Sequence, residues 1–322
     1  MTTWGIISTA DINAKLIPGA QASPRVDLIA VASRDQRRAH DYAKEWGIER
    51  AYGSYDALLA DADVEAVYIS LPNTMHCDWS IRALEAGKHV LCEKPMSRHP
   101  EEVVAAFDAA DRAGRHLSEA FMYRHNSQTK RLRQLIDEGA VGDVRLIRSA
   151  FSYSLYDADN IRLRTDVEGG SLMDVGCYCV SGSRAAAGRE PVSVFGQAWF
   201  GETGTDWVFN GSMRFADDVL ATFDCGTAMP ERDELEVIGS EGSLFLDDPW
   251  HCNVPVIEVR RAGEVERIEL TREDSYRLEL ENVSDAIDGR AALLLGRDDA
   301  VGQARTLEAL HRSAESGEAV RL

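Results

Sequence analysis

A chain of 322 residues is longer than one hydrophobic core usually supports, so its length predicts two domains. The formal net charge of −19 argues against binding to nucleic acid or to anionic membranes, because both require basic protein surfaces. No window has the ~18 uncharged apolar residues of a membrane helix, and Met1 is not followed by the basic segment of a signal peptide. We therefore expect a cytoplasmic protein with a small-molecule partner.

The six cysteines are scattered along the chain without the spacing of metal ligands. Cys177 and Cys179 form a C-x-C within a predicted helix, where a tetrahedral ion would need further ligands nearby. We therefore expect buried, reduced thiols and no metal site.

The first part of the chain alternates strands and helices, which predicts a doubly wound parallel sheet of the Rossmann type. The predicted strands are Trp4–Ser8, Val26–Ala32, Val64–Ser70, a strand from His89 and Leu117–Ala120. Two predicted helices end at Ala22 and at Trp46. Three further helices are predicted at Tyr55–Leu59, His76–Ala86 and Pro100–Ala113. Glycines at predicted helix ends, such as Gly87, support these boundaries.

The composition changes near Phe121, and the pattern turns to longer strands. These are Val144–Ser154, Val192–Phe200, Val208–Phe215, Val219–Cys225, Leu235–Gly239, Gly242–Leu246 and Val256–Arg260. Helices are predicted at Ser127–Glu138, Ser171–Ala187, Tyr276–Asp288 and Ala300–Ala314. The pattern predicts an α+β domain with a large, mostly antiparallel open sheet. We place the domains at 1–121 and 122–322, with the last helices able to pack back on the first domain.

The stretch His89–Pro95 ends a buried strand in an acid, a base and a proline. Pro95 has no N–H and a fixed φ, so the strand must stop where Glu93 and Lys94 lie. In open α/β sheets the carboxyl ends of the strands form the ligand-binding edge. Most cations of this chain are arginines, and an amine, unlike a guanidinium, can exchange its proton near neutrality. We predict that Lys94 is catalytic beside a nicotinamide cofactor.

The turn after the first strand departs from the G-x-G-x-x-G/A pattern of dinucleotide-binding folds. Aligned on the end of the strand, it reads Ser8-Thr9-Ala10-Asp11-Ile12-Asn13. Small residues still permit a close backbone approach to the pyrophosphate, and Ser8 and Thr9 can donate hydrogen bonds to phosphate. The Asp11 carboxylate would repel the pyrophosphate unless it points away. We predict cofactor contacts along Ser8, Thr9, Ala10, Asp11 and Ile12.

The end of the second strand indicates which nicotinamide cofactor is used. Ser33 and Arg34 follow this strand, and Arg38 lies one turn later on the same helical face. A cation at this position accommodates the 2′-phosphate of NADP, whereas NAD-specific folds place an acid there. We therefore predict NADP rather than NAD. The alternative is a solvated face whose arginines pair with Asp35 and Asp41.

Several phrases occur together in the order and spacing of one enzyme superfamily. They are Trp4–Ile12, Ser33-Arg34, Ser70-Leu71-Pro72-Asn73 with His76, Gly87–Pro95 and Gly169–Tyr178. The chain resembles the Gfo/Idh/MocA oxidoreductases over essentially its full length. Residues 119–124 and 160–162 look most like those of dimeric dihydrodiol dehydrogenases and NADP-dependent D-xylose dehydrogenases.

The resemblance implies a Rossmann domain, an α+β substrate and oligomerisation domain, and hydride transfer at a sugar-like alcohol or carbonyl. It implies that Glu93 touches the nicotinamide ribose, that Lys94 is catalytic, and that Leu71, Pro72, Asn73 and His76 line the cofactor. Asp174 and Tyr178 stand where the family keeps an Asp and a His or Tyr. Tyr123, Arg124 and Arg162 are further candidates for the substrate pocket. We expect a homodimer or homotetramer formed through the C-terminal sheet.

Asp174 and Tyr178 are spaced i, i+4 on the predicted helix, so they should share one face. Gly176 between them leaves space for a substrate or a neighbouring backbone. Tyrosine is a weak base at its ordinary pKa of about 10, and a nearby cation lowers that pKa. We predict that Tyr178 is the acid/base and is assisted by Lys94, while Asp174 orients substrate hydroxyls or holds Lys94.

The leading hypothesis is an NADP-dependent dehydrogenase or reductase that acts on a sugar or cyclic polyol. One alternative is a trans-dihydrodiol dehydrogenase, which an apolar pocket would favour. The other is a non-catalytic NADP-binding regulator. The presence of both Lys94 and Tyr178 argues against the regulator, because binding alone requires neither.

Overall fold

The computed structural model describes residues 1–155, 157 and 159–322, and the chain divides into two compact units. The first unit consists of residues 1–125 and 274–301, and the second of residues 126–273 and 302–322. The first boundary thus falls after His125 rather than after residue 121, and a late segment returns to the first unit.

Six strands form the sheet of the first unit. They are β1 (Thr2–Ile7), β2 (Val26–Ala32), β3 (Arg50–Tyr52), β4 (Ala66–Ile69), β5 (His89–Glu93) and β6 (Leu117–Ala120). All neighbours pair in parallel, in the order β3-β2-β1-β4-β5-β6. This order confirms the predicted Rossmann sheet. It reverses between β1 and β4, so the carboxyl ends of these strands flank the topological switch point where such folds bind ligands.

The helices begin and end at residues suited to these positions. They are α1 (Asn13–Ala22), α2 (Gln36–Trp46), α3 (Tyr55–Leu59), α4 (His76–Glu85), α5 (Pro100–Ala113), α6 (Ser127–Asp137), α7 (Cys177–Ala187), α8 (Ser275–Ile287) and α9 (Arg297–Ser316). Side chains of Asp35, Ser54 and Asp274 accept backbone N–H groups at the starts of α2, α3 and α8. Gly47 and Gly114 end α2 and α5 in the left-handed conformation.

Helix α8 belongs to the first unit although it lies late in the sequence. Trp4 Nε1 donates to Ser284 Oγ at 3.1 Å. Leu280 and Val283 are buried in the same apolar cluster as Trp4 and Leu91. The return of α8 thus completes the hydrophobic core beside the parallel sheet.

The second unit contains a nine-stranded sheet. Its strands are β7 (Val144–Ser154), β8 (Pro191–Phe200), β9 (Asp206–Phe215), β10 (Leu220–Gly226), β11 (Ala228–Gly239), β12 (Ser243–Leu246), β13 (Val256–Arg261), β14 (Glu264–Glu269) and β15 (Val320–Arg321). The order is β14-β13-β12-β11-β7-β10-β9-β8-β15, and β7–β10 is the one parallel pair among the described strands of this sheet. The predicted mostly antiparallel sheet is confirmed, and α7 packs on β7 and β10.

Three strands were not predicted, and one is much longer than predicted. β3 and β15 are too short for a periodic signal, and β14 is a largely exposed edge strand with acidic and basic side chains. β11 begins at Ala228 rather than at Leu235. Its early half contains Pro230 and several charged residues, and the pairing with β7 shifts register between Ala228 and Arg232.

All six cysteines are buried free thiols, as predicted. Burial raises the pKa values of Cys92, Cys179 and Cys225 well above that of an ordinary cysteine thiol. These thiols are therefore protonated and unreactive. In the described part of the chain, no helix combines the length and the apolar character needed to cross a membrane.

Candidate active site

The phosphate turn begins at Ser8, whose φ of 122° lies in the region that favours glycine. Ser8 occupies the first glycine position of the nucleotide-binding pattern, so the turn keeps a glycine-like backbone without the glycine. Its Oγ lies 2.9 Å from Ser70 O and 2.8 Å from Ser70 Oγ, and it accepts the N–H of Ala10 at 3.1 Å. The hydroxyl that we predicted as a phosphate donor therefore links the residues that follow β1 and β4.

Asn13, the first residue of α1, completes this network and was not predicted. Its Nδ2 donates to Ser8 O at 3.1 Å, and its Oδ1 accepts the Ser70 hydroxyl at 2.7 Å. Asn13 is fully buried, whereas Asp11 is exposed. The available signal was a polar residue at the third glycine position, where helix and strand pack closely.

We expect the Ser8→Ala variant to be less stable than Ser8→Gly. Both lose the hydroxyl, at a cost of about 1–3 kcal/mol for the buried groups left unpaired. Alanine also keeps a Cβ in a backbone conformation that costs of order 1–3 kcal/mol. Glycine removes that cost and loses only about 0.4–1 kcal/mol through the entropy of the unfolded chain. Urea unfolding of the two variants without cofactor measures the order, and a less stable glycine variant would contradict it.

Arg34 and Arg38 lie near the start of α2. Burial raises the pKa of Tyr55, and the positive charges of Arg34 and Arg38 oppose that rise. Arg38 Nη2 also donates to Thr9 O at 3.2 Å, on the phosphate turn. Arg38 is therefore next to the turn, and Tyr55 is a further residue of this region that the sequence did not reveal.

The alternative of a solvated arginine face applies to Arg37. Its guanidinium lies 3.8 Å from Asp41, and its side chain is 92% exposed. Asp35 caps α2 by accepting the Arg38 N–H at 2.7 Å. Ser33 is buried, and its Oγ accepts the Asp35 N–H at 3.3 Å.

His76 is fully buried at the start of α4. Its Nδ1 lies 2.9 Å from Pro95 O and its Nε2 lies 2.7 Å from Leu71 O, so both ring nitrogens face main-chain carbonyls. Burial lowers the pKa of His76, and the two carbonyl groups oppose this effect. His76 therefore ties the segment after β4 to the segment after β5, while Pro72 and Asn73 lie partly exposed between them.

Glu93 and Lys94 lie where β5 ends, as predicted from Pro95. Glu93 Oε1 accepts the Tyr68 hydroxyl at 2.5 Å, and Oε2 accepts the Lys94 N–H at 3.1 Å. The Lys94–Pro95 peptide bond is cis. Lys94 is partly exposed. The main chain of Lys94 is therefore held by the Glu93 carboxylate, so its position does not depend on the side-chain amine.

Tyr123 and Arg124 follow β6 in a short 3₁₀ turn of the first unit. Tyr123 is fully buried and contacts Phe121 edge to face, with ring centroids 6.1 Å apart. Arg124 Nη1 lies 3.3 Å from Asp299 Oδ1.

Asp174 of the second unit sits between two donors. Its Oδ2 accepts the Tyr153 hydroxyl at 2.5 Å, and its Oδ1 accepts Arg162 Nε at 3.0 Å. Asp174 and Arg162, both predicted from the sequence, are thus brought together. Tyr153 was not predicted as a site residue. Burial and the neighbouring Asp174 carboxylate raise its pKa.

The segment that carries Asp174 is a π-helical turn over Leu172–Gly176, which continues into α7. The sequence predicted regular helix from Ser171. Asp206 accepts the Ser171 hydroxyl and the Leu172 N–H, each at 2.7 Å, and burial raises its pKa to about 6. A buried side chain from β9 therefore supports the start of this turn, and π-turns frequently occur at functional sites.

Gly176 allows close packing against the sheet. A Cβ at this position would lie 2.7 Å from Cys225 Sγ and 3.0 Å from Leu172 Cδ1. The close neighbours of Gly176 are thus side chains, one from β10 and one from the same π-helical turn. The predicted space for a substrate stays a prediction.

Tyr178 is a buried ring in an aromatic cluster. Its centroid lies 5.3 Å from Phe151, in an edge-to-face arrangement, and 6.1 Å from Trp250. Phe151 also stacks on Trp250, with ring centroids 6.3 Å apart. Apolar rings around a polar phenol provide a surface suited to the carbon skeleton of a ligand.

Two family models match the chain. A model described as an oxidoreductase family with an NAD-binding Rossmann fold covers residues 2–121, and the Gfo/Idh/MocA C-terminal domain covers residues 129–245. Together they include the phosphate turn, the Glu-Lys-Pro segment and the Asp174–Tyr178 segment.

Named relatives span most of the chain. D-xylose 1-dehydrogenase (NADP(+)) 2 of Haloferax volcanii is 39% identical over 325 residues, which cover 99% of each chain. Trans-1,2-dihydrobenzene-1,2-diol dehydrogenase of Xenopus laevis is 35% identical over 76% of this chain and 75% of its own. A 3-ketoreductase from Actinomadura kijaniata, solved with NADP and TDP-benzene, superposes with a TM-score of 0.91 at 28% identity over 97% of both chains. The chain belongs to the Gfo/Idh/MocA family of oxidoreductases.

Proposed function

We propose that the protein is an NADP-dependent dehydrogenase or reductase that acts on a CH–OH group, or the matching carbonyl, of a sugar or cyclic polyol. The observation that carries the proposal is the position of Lys94 at the ligand-binding edge of the Rossmann sheet, with its main chain held by Glu93. A bound nicotinamide supplies the hydride chemistry. The residues of the chain bind and orient the substrate and transfer its proton.

The residues at the end of β2 fit the 2′-phosphate of NADP. The positive charges of Arg34 and Arg38 both oppose the rise in the pKa of Tyr55, and Arg38 also reaches the main chain of the phosphate turn. Two convergent guanidinium groups suit a phosphate because they offer charge-assisted, paired donors. The names of the Haloferax relative and of the ketoreductase structure, which both mention NADP, support this choice.

We expect the Arg34→Ala, Arg38→Ala double variant to lose its preference for NADP over NAD. The loss of two charge-assisted hydrogen bonds should raise KM for NADP at least about 10-fold, with a small effect on KM for NAD. Initial rates with both cofactors measure the ratio. Arg37→Ala is the matched control, because Arg37 is exposed and lies against Asp41. Equal use of both cofactors by the wild type would refute the assignment.

We propose that Tyr178 exchanges the proton of the reacting hydroxyl and that Lys94 polarises the reacting oxygen and relays the proton. Asp174 orients Arg162 and Tyr153, its hydrogen-bond partners, toward the substrate hydroxyls. These residues supply proton transfer and orientation, which are the two tasks that the cofactor cannot perform.

A substrate panel tests the activity. NADPH fluorescence should report turnover of aldoses, inositols or anhydrosugars or of their carbonyl forms. Dehydrogenation of arene dihydrodiols is the second candidate, because the cluster of Phe151, Tyr178 and Trp250 offers apolar rings. Binding of NADPH without turnover of any compound would favour the regulator instead.

We further propose a homodimer or homotetramer formed through the sheet of the second unit. One face of that sheet has a cavity lined by Arg148, Asp224, Arg232 and Glu236, whose mixed charges suit a self-complementary contact. Light scattering measures the mass, and the mass of a single chain would contradict this proposal.

A further inference from the structure

A well-fixed loop follows β12 in the second unit. Trp250 is fully buried, its Nε1 donates to Ala150 O at 3.0 Å, and its N–H donates to Asp233 Oδ1 at 3.2 Å. Asp248 Oδ2 accepts two backbone N–H groups further along the loop, at 2.5 and 2.8 Å. These bonds hold the intervening residue, His251, in a defined place.

His251 and Asp233 form a hydrogen-bonded pair. The distance between His251 Nδ1 and Asp233 Oδ2 is 2.6 Å. This bond raises the pKa of His251, while burial raises the pKa of Asp233 to about 6. With Nδ1 donating to the carboxylate, Nε2 is the nitrogen left for a ligand, and the His251 side chain is 46% exposed.

These groups suit a hydrogen-bonded pair better than a metal site. Asp233, Asp248 and His251 offer ligand atoms that all lie within 4.8 Å of one another. Two ligands bound to one zinc at about 2.0–2.2 Å in tetrahedral geometry would lie more than about 3 Å apart. The separation of 2.6 Å between His251 and Asp233 is that of a charge-assisted hydrogen bond.

The pair borders the aromatic cluster that contains Tyr178. The His251 ring lies 5.4 Å from the Phe151 ring at an interplanar angle of 82°, and Phe151 lies 5.3 Å from Tyr178. All of these residues belong to the second unit. His251 and the proposed acid/base therefore both contact the ring of Phe151.

The charges beside His251 indicate which ligand it can bind. Its Nδ1 lies 2.6 Å from the carboxylate of Asp233 and 3.9 Å from that of Asp248. A phosphate or carboxylate would meet more negative than positive charge there. A neutral hydroxyl has no such cost, and it can accept a hydrogen bond from Nε2 or donate one to it.

We propose that His251, positioned by Asp233, binds a hydroxyl group of a neutral polyol and so determines which substrates the enzyme accepts. This inference rests on the proposed function. It narrows the substrate class to neutral polyols in preference to phosphorylated or nucleotide-linked sugars. Asp233 acts through His251 as a positioning residue.

The test compares an active polyol with its set of monodeoxy analogues and with its phosphate ester. In the wild type, kcat/KM should fall roughly 10- to 100-fold for the analogue that lacks the bound hydroxyl, and at least about tenfold for the phosphate ester. His251→Phe should accept the parent and that analogue equally, through a higher KM for the parent at nearly unchanged kcat. His251→Gln, which keeps an amide at the position of Nε2, should recover part of the discrimination.

Asp233→Asn should lower the pKa of His251, as read from the titration of its ring Cε1–H by NMR, and raise KM without changing NADPH binding. Asp247→Asn is the matched control, since it makes the same charge change at an exposed neighbour of the loop. Discrimination that persists in both His251 variants, or a better rate with the phosphate ester, overturns the inference alone. An enzyme that binds NADPH but turns over no polyol overturns the proposed function and this inference with it.

Discussion

Replacing Lys94 by alanine should lower kcat by at least about 100-fold while NADPH still binds. The expected loss is that of a group which polarises the reacting oxygen and relays its proton. The fold should survive, because Glu93 Oε2 holds the Lys94 N–H and His76 Nδ1 lies within hydrogen-bond distance of Pro95 O. Steady-state rates with saturating NADP(H), together with fluorescence titration of NADPH, separate catalysis from binding.

Lys130→Ala is the matched control for this variant. Lys130 is exposed on α6, so the same truncation there should leave kcat within about twofold. A Lys94→Ala enzyme within fivefold of the wild type would remove Lys94 from the mechanism. Loss of NADPH binding in the same variant would assign Lys94 to the cofactor site instead.

Replacing Tyr178 by phenylalanine should lower kcat by roughly 10²- to 10⁴-fold, the usual contribution of a general acid or base. The substitution removes only the hydroxyl, so the edge-to-face contact with Phe151 and the packing near Trp250 remain. The ring should therefore stay in place, and KM should change much less than kcat. Thermal unfolding and steady-state kinetics measure the two effects.

Tyr52→Phe controls for the loss of a hydrogen-bonded phenol. The Tyr52 hydroxyl donates to Asp61 at 2.7 Å, and Tyr52 lies on β3, the edge strand of the sheet in the first unit. This variant should keep kcat within about twofold. The pH dependence of kcat provides an independent measurement, because the limb due to the acid/base should disappear only in Tyr178→Phe. An unchanged pH profile in Tyr178→Phe would assign proton transfer to another residue.

The edge that carries Lys94 could be predicted from the sequence because local chemistry decides it. The apolar run from His89 and the missing N–H of Pro95 require a strand that stops at Glu93, and β5 ends there. The same local rules placed β2, α5 and β7 at the bounds that the structure has. An apolar run, a cap or a proline acts through its immediate neighbours, so each can be recognised without the fold.

Strands without an apolar face could not be recognised in this way. β14 is mostly charged, and the first half of β11 contains Pro230, so neither has the alternation that marks a half-buried strand. Pairing with neighbours holds them in the sheet, and pairing partners are not visible in a local pattern.

The roles of several site residues depended on partners far away in the sequence. Ser8 was predicted as a phosphate donor from its place in the turn, but its hydroxyl is engaged with Ser70, 62 residues away. Asp206 supports the π-helical turn from 35 residues beyond Ser171. Neither partner could be identified before the strands that carry it were placed side by side.

The sequence by itself determined the alternation of strands and helices in the Rossmann sheet apart from β3, the sheet edge with Glu93 and Lys94, and the positions of the arginines after β2. Hydrophobic periodicity and the backbone restrictions of proline and glycine are local, and they sufficed for these features. Only the tertiary structure decided the engagement of the Ser8 hydroxyl, the π-helical turn before Tyr178 and the pairing of Asp233 with His251. Each of these depends on a buried polar group finding its partner, and chain folding brings such partners together from distant positions.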